Sequence, residues 1–215
     1  MSLPGLYAVV DADIASAHGW AVVDLAAAVL DGGATLVQIR GKALSSAELL
    51  TVSRRIVALA TPYGAAVVVN DRADLAVLAG AAGVHVGQDD LSPADVRAIV
   101  GPDALVGVST HSADQIDAAA RAPVSYIAVG PVFGTATKHT GYDAVGLDLV
   151  RHAAASGSDV VAIGGVTLDR VGQVFAAGAT SVAVITDLLT GGDPAARTRA
   201  FVDATAAASA ARAAL

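Results

Sequence analysis

The chain has 215 residues, no cysteine, and 13 Lys+Arg against 20 Asp+Glu, giving a formal net charge of −7. That charge argues against nonspecific binding to nucleic acid or anionic membrane, and the missing thiols exclude disulfides and thiolate chemistry while suiting a cytoplasmic protein. Hydrophobic residues make up 54% of the chain, yet no apolar run reaches the ~18 residues that span a bilayer.

The N-terminal Met1-Ser2-Leu3-Pro4-Gly5 lacks a basic region, so a signal peptide is not expected. Short β-branched runs then recur along the chain, each followed by a turn and a longer helical stretch. Strands are expected near Leu6–Val10, Thr35–Arg40, Ala66–Asn70, Gly83–Val86, Leu105–Ser109, Tyr126–Val129, Val160–Ile163 and Ser181–Ile185. Between them lie alanine-rich segments with helical spacing, among them Trp20–Leu30, Ala47–Ala60, Pro93–Val100, Ala113–Ala120, Leu147–Ala155 and Leu168–Ala177. Pro93 fits a first helical turn capped by Ser92, and Gly32-Gly33, Gly80 and Gly178 fit helix ends. The residues after Pro194 read as a closing helix. Strand runs apolar on both faces belong to a parallel sheet covered by helices. Eight such units predict an α/β fold, a single (β/α)8 TIM barrel forming one domain over 1–215. An open doubly wound sheet is the competing architecture.

Chemistry in such a barrel sits at the C-terminal ends of the strands. The only lysines, Lys42 and Lys138, each fall just past a strand. An acidic protein that binds an anion needs such a local cluster of positive charge. On the second strand Gln38 and Arg40 share one side of the pleat, opposite Val37 and Ile39, and face the expected mouth. The third strand ends in Asn70-Asp71-Arg72, where Asp71 could simply cap a helix. The fourth ends in Gly87-Gln88-Asp89-Asp90-Leu91. Mg²⁺ typically takes one or two protein carboxylates plus waters and phosphate oxygens, so Asp71 and an acidic residue of the fourth strand end suit it; spacing does not separate Asp89 from Asp90.

Further on, Ser109, Thr110 and His111 close the fifth strand, with hydroxyls suited either to the mouth or to capping the next helix. His85 lies inside a strand and reads as a core histidine, whereas His18 and His152 read as structural or solvent-facing. The sixth strand leads into Gly130-Pro131-Val132-Phe133-Gly134-Thr135-Ala136-Thr137-Lys138-His139-Thr140-Gly141, suited to a loop that closes over substrate. Gly164-Gly165 follows the seventh strand and Ile185-Thr186 ends the eighth, the place where barrels of this kind hold phosphate on backbone amides. Nothing resembles a nucleophile elbow, so a Ser-His-Asp hydrolase is a poor reading.

Taken in order, Gln38-Ile39-Arg40-Gly41-Lys42, Asn70-Asp71-Arg72, Gly87-Gln88-Asp89-Asp90-Leu91, Gly107-Val108-Ser109-Thr110-His111, Gly130-Pro131-Val132-Phe133, Thr135-Ala136-Thr137-Lys138 and Ile163-Gly164-Gly165-Val166 resemble the thiamine phosphate synthase family, from about Leu6 to about Val202. The resemblance implies a transferase that joins 4-amino-2-methyl-5-hydroxymethylpyrimidine diphosphate to 4-methyl-5-(2-phosphoethyl)thiazole, releasing pyrophosphate. By the same resemblance Gln38, Ile39, Arg40, Gly41, Lys42, Asn70, Ser109 and Lys138 match positions for the pyrimidine diphosphate. Arg40, Lys42, Ser109 and Lys138 would serve catalysis, and Asp71 and Asp90 match the Mg²⁺ ligands. Thr135, Ala136, Thr137, Gly165, Ile185 and Thr186 match positions for the thiazole phosphate. The implied partners are these small molecules, with neither nucleic acid nor membrane, and homo-oligomerisation is left open.

Two positions depart from the family pattern. Gly41 stands where a larger, frequently acidic residue is common, and Gly134 where proline is common; both bear on loop stiffness. Three rival readings fit less well. The related thiazole tautomerases place a histidine near the end of strand six, where this chain has Val129-Gly130-Pro131. A sugar-phosphate isomerase or epimerase needs a paired acid and base. A non-catalytic sensor of thiamine phosphate would not need Asp71, Asp90 and Lys138 together.

Overall fold

A computed structural model describes residues 3–134 and 143–214. Eight parallel strands close on themselves in sequence order: β1 (Leu6–Asp11), β2 (Leu36–Arg40), β3 (Ala66–Asn70), β4 (Gly83–Val86), β5 (Leu105–Thr110), β6 (Tyr126–Val129), β7 (Val160–Ile163) and β8 (Ser181–Val184). Closure comes from β1 pairing with β8, Leu6 opposite Val182. The (β/α)8 barrel expected from the sequence is therefore the one observed.

Around it lie α1 (Ala12–Ala17), α2 (Val22–Asp31), α3 (Ser46–Ala60), α4 (Ala73–Ala79), α5 (Pro93–Val100), α6 (Ala113–Ala119), α7 (Gly146–Ala155), α8 (Val171–Ala176) and α9 (Pro194–Ala213). Local chemistry sets their starts. Ser45 and Glu48 form a reciprocal capping box on α3, and Ser92 caps α5 ahead of Pro93. Gly80 ends α4 in the left-handed conformation that only glycine adopts freely.

Several limits shift by a residue or two from the sequence reading, and three differences have a local cause. The six-residue α1 was not expected, because so short a helix shows no apolar period; Asp11 makes it by accepting from the amides of Asp13 and Ile14. The expected helix 168–177 divides into a 3₁₀ turn, Leu168–Arg170, and α8. Ile185 lies outside β8, where the chain turns into a 3₁₀ segment, Thr186–Leu189.

The core has two shells, as strand alternation requires. Outward side chains such as Val37, Ile39, Val69 and Val129 pack against the helices. Inward ones, including Tyr7, Val9, Leu36, Val68, Tyr126, Ala128, Val161 and Ala183, fill the barrel. Tyr7 and Tyr126 meet edge to face with centroids 5.8 Å apart. Their bulk requires a small residue nearby: a Cβ on Gly107 would lie 2.1 Å from the Tyr126 ring. The inner shell is the floor on which the site stands.

Candidate active site

A cavity of about 660 Å³ opens at the C-terminal end of the barrel. Its walls bring together Gln38, Arg40, Lys42, Asn70, Asp71, Asp90, Ser109, Gly165, Ile185 and Thr186, ten of the residues singled out from the sequence. Ile39 is placed otherwise. Its side chain is fully buried in the outer core, so only its main chain can serve the site. Gly41 does not line the wall; a Cβ there would lie 2.7 Å from the Leu44 side chain. A larger residue at this position would require Leu44 to move. Thr135, Ala136, Thr137, Lys138 and His139 lie outside the described residues.

The cationic side is built on β2. Gln38 and Arg40 point inward on the same pleat, and Arg40 is paired with Asp11 from the neighbouring strand. Asp11 is nearly inaccessible and also caps α1, so its carboxylate is held from three directions. A carboxylate fixed in this way sets the guanidinium's position and leaves other N–H donors of its five for a ligand.

Facing Arg40 and Lys42 are two acids. Asp71 has φ of 62°, a conformation that Asp and Asn tolerate better than most residues, and its amide donates to His85 O at 2.7 Å. Lys42 Nζ reaches its carboxylate at 2.5 Å. Even so, burial, with a contribution from neighbouring Asp90, pushes the Asp71 carboxyl above the usual range, outweighing Lys42. Asp90 is held by the Gly87 amide at 2.8 Å. Asp89 also lines the cavity, but Asp90 is the acid that meets Asp71. Two carboxylates at such proximity repel unless a proton or cation lies between them. Among the described residues, no group of three or more His, Cys, Asp or Glu could hold a metal ion. Two facing carboxylates are a donor set that Mg²⁺ can use, with water and phosphate oxygens completing its shell.

Below these groups runs a chain of hydrogen bonds across the barrel. Gln38 Nε2 donates to the Tyr7 hydroxyl at 2.9 Å, Tyr7 and Tyr126 hydroxyls lie 2.9 Å apart, Tyr126 reaches His85 Nδ1 at 3.1 Å, and His85 Nε2 reaches Ser109 Oγ at 2.9 Å. His85 is thus buried as expected of a core histidine, yet it also forms part of the cavity wall. Burial, the largest influence, raises both tyrosine pKa values and keeps both hydroxyls protonated. The two hydroxyls of β5 divide their roles: Thr110 turns outward and donates to Ala128 O at 3.0 Å, while Ser109 faces the cavity. Ser112, not either of them, caps α6.

Opposite lie the loops after β7 and β8. Gly164 and Gly165 have φ of 93° and 64°, which glycine adopts at no steric cost. At Gly165 a Cβ would approach Gly134 O to 2.7 Å, so the β6 and β7 loops touch there. Two arginines brace this region from outside the cavity. Arg170 donates to Gly165 O at 2.7 Å and lies 4.6 Å from the Phe133 ring centroid; Arg197 holds the Asp187 carboxylate at 2.6 Å and its carbonyl at 3.2 Å. By engaging carbonyls, they help set which way these loop peptides face. Tyr7, Asp11, Tyr126, Arg170 and Arg197 were not anticipated from the sequence. Inward parity with Gln38 could have flagged the tyrosines, whereas the arginines carry no local signal.

Comparison with known proteins points to a single family. A family model described as thiamine monophosphate synthase matches residues 6–188. A thiamine-phosphate synthase of Koribacter versatilis is 44% identical over 205 residues, covering 94% of this chain and 96% of the relative. One of Laribacter hongkongensis is 43% identical over 173 residues, covering 80% and 82%. Among solved structures, a thiamine phosphate pyrophosphorylase from Pyrococcus furiosus superposes with a TM-score of 0.86 at 26% identity, covering 95% of this chain and 97% of that one. With the barrel fold, a family model spanning most of its length and these relatives in agreement, the chain belongs to the thiamine monophosphate synthase family.

Proposed function

We propose that this protein condenses 4-amino-2-methyl-5-hydroxymethylpyrimidine diphosphate with 4-methyl-5-(2-phosphoethyl)thiazole, forming thiamine phosphate and pyrophosphate. The observation that carries this reading is the convergence of Arg40 and Lys42 with the Asp71–Asp90 pair on one cavity, beside the loops at Gly164-Gly165 and Ile185-Thr186. Anionic groups of two substrates need two such subsites.

In the proposed reaction the bond between the pyrimidine methylene carbon and the diphosphate oxygen breaks, its electron pair leaving with pyrophosphate. The thiazole nitrogen then supplies the pair for the new C–N bond. No base is needed at that centre; the task is to stabilise charge accumulating on the leaving group. Arg40, steadied by Asp11, and Lys42 would meet that charge with donors already in position. Lys138 is assigned the same role on sequence grounds. Asp71 and Asp90 would hold Mg²⁺, which when bound neutralises diphosphate oxygens as a Lewis acid. Asn70 and Gln38 would orient the pyrimidine diphosphate. Backbone amides at Gly165 and Thr186 would hold the thiazole phosphate, joined by Thr135, Ala136 and Thr137. A site shielded from water would limit loss of the activated pyrimidine to hydrolysis.

The test is product formation with both substrates and Mg²⁺, followed by mass spectrometry. Thiamine phosphate is expected only when both substrates are present; its absence under saturating conditions would reject the assignment. Lys138→Ala is expected to slow the chemical step far more than it weakens binding of the thiazole phosphate alone. Equal losses would place Lys138 in the other subsite.

A further inference from the structure

The hydrogen-bond chain beneath the cavity has a direction. Gln38 donates its Nε2 hydrogen to the Tyr7 oxygen, so the Tyr7 proton goes to its other partner, the Tyr126 oxygen. Tyr126 then has one proton to give, and His85 Nδ1 is in reach at 3.1 Å. A ring nitrogen that accepts carries no hydrogen, so the neutral imidazole bears its proton on Nε2. That proton goes to Ser109 Oγ at 2.9 Å. The serine's own hydrogen is thereby directed away from His85, and Ser109 lines the cavity.

The opposite direction leaves a fault. With the proton on Nδ1, His85 would donate to Tyr126, and Tyr126 to Tyr7. With the Gln38 amide nitrogen, and not its oxygen, facing Tyr7, the Tyr7 oxygen would then receive two bonds, and its own proton would have no acceptor among the members of this chain. Tyr7 is only 1% exposed, and a buried donor without a protein partner is unfavourable. Parallel stacking of His85 on Tyr126, at 5.7 Å between centroids and 13° between planes, holds the two in register. Gly107 leaves the space that the Tyr126 ring occupies.

We infer that Tyr126 is a positioning residue: through the Nε2–H tautomer of His85, it presents the Ser109 hydroxyl as a hydrogen-bond donor to the pyrimidine diphosphate. This rests on the function proposed above, but the tautomer itself can be measured without substrate. In ¹⁵N-histidine-labelled protein at a single pH, with His85 assigned by its loss in His85→Gln, long-range ¹H–¹⁵N spectra are expected to show a protonated Nε2 and a bare Nδ1. A protonated Nδ1 in the wild-type protein would overturn the inference. Tyr126→Phe keeps the ring and removes the hydroxyl. It is expected to scramble the two nitrogen signals and lower kcat by roughly 10–100-fold, the scale set by small misplacements of a reacting group, with Kd for the thiazole phosphate unchanged. Adding Ser109→Ala to Tyr126→Phe should cost little more than Ser109→Ala alone, because both act through one hydroxyl. An unchanged tautomer or an unchanged kcat in Tyr126→Phe contradicts the positioning role. If that variant does not fold, the wild-type spectrum decides alone. A wild-type protein that makes no thiamine phosphate refutes the synthase reading while leaving the tautomer result intact.

Discussion

Arg40 shows how much of a catalytic side chain's value lies in what stands behind it. Its alternation with Ile39 was enough to point it at the barrel mouth, but its partner Asp11 ends a different strand and gave no such signal. Replacing Arg40 by Ala is expected to lower kcat about 10²–10³-fold, the usual cost of one donor to developing charge. It would also leave Asp11 buried without its cation, so the melting temperature should fall as well; kcat and thermal denaturation measured on the same preparation check both. Asp71 carries the pH dependence. Its carboxyl lies above the ordinary range, chiefly through burial and then through Asp90. In the metal-free protein that group favours folding most below its unfolded pKa, and the advantage is lost as pH rises through the folded value. A metal must displace the proton, so Mg²⁺ affinity should weaken as pH falls through the same window; titration calorimetry across the acid range reads this directly. Asp71→Asn, which suits the left-handed backbone, should raise apoprotein stability at neutral pH while removing Mg²⁺-dependent activity.

At the scale of elements, the strands were legible because each is a short β-branched run bounded by turn residues, and most observed limits fall within a residue of expectation. The exceptions have identifiable causes. Helix α1 depends on one capping carboxylate rather than on periodicity, and Ile185 departs from β8 because the chain must turn there into the 3₁₀ segment. The inward aim of Gln38 and Arg40 was legible through parity and charge, whereas the choice of Asp90 over Asp89 and the roles expected of Ser109, Ile185 and Thr186 came from the family resemblance. Tyr7 and Tyr126 were not legible, since an aromatic within an apolar strand reads as packing until its hydroxyl finds a partner. Two elements can be probed separately. Ser45→Ala removes the capping box of α3 and should cost about 1 kcal/mol, seen as a lower denaturation midpoint with unchanged kcat. Arg170→Met breaks the bond to Gly165 O and the contact with Phe133. It is expected to raise KM for the thiazole phosphate about tenfold, equivalent to roughly 1.4 kcal/mol, and to leave affinity for the pyrimidine diphosphate unaltered. Steady-state kinetics with each substrate varied in turn distinguishes the two.

For the whole molecule, an acidic chain offers anions a local pair of cations, Arg40 and Lys42, on the cavity at one end of the barrel. Among the described residues no helix is long and apolar enough to cross a membrane. The closed barrel sets the distances: β2 brings Arg40 and Lys42, β3 and the β4 loop bring the two acids, and the β7 and β8 loops line the cavity as well. Each group comes from a separate stretch of sequence, so pairwise geometry could not be read from spacing alone. The central claim is that these groups, with a divalent cation, draw off the departing diphosphate. Pyrophosphate release, followed with both substrates before and after EDTA and again after restoring Mg²⁺, tests it most directly. Release should stop with the chelator and return with the metal; release that continues unchanged in EDTA would contradict the account.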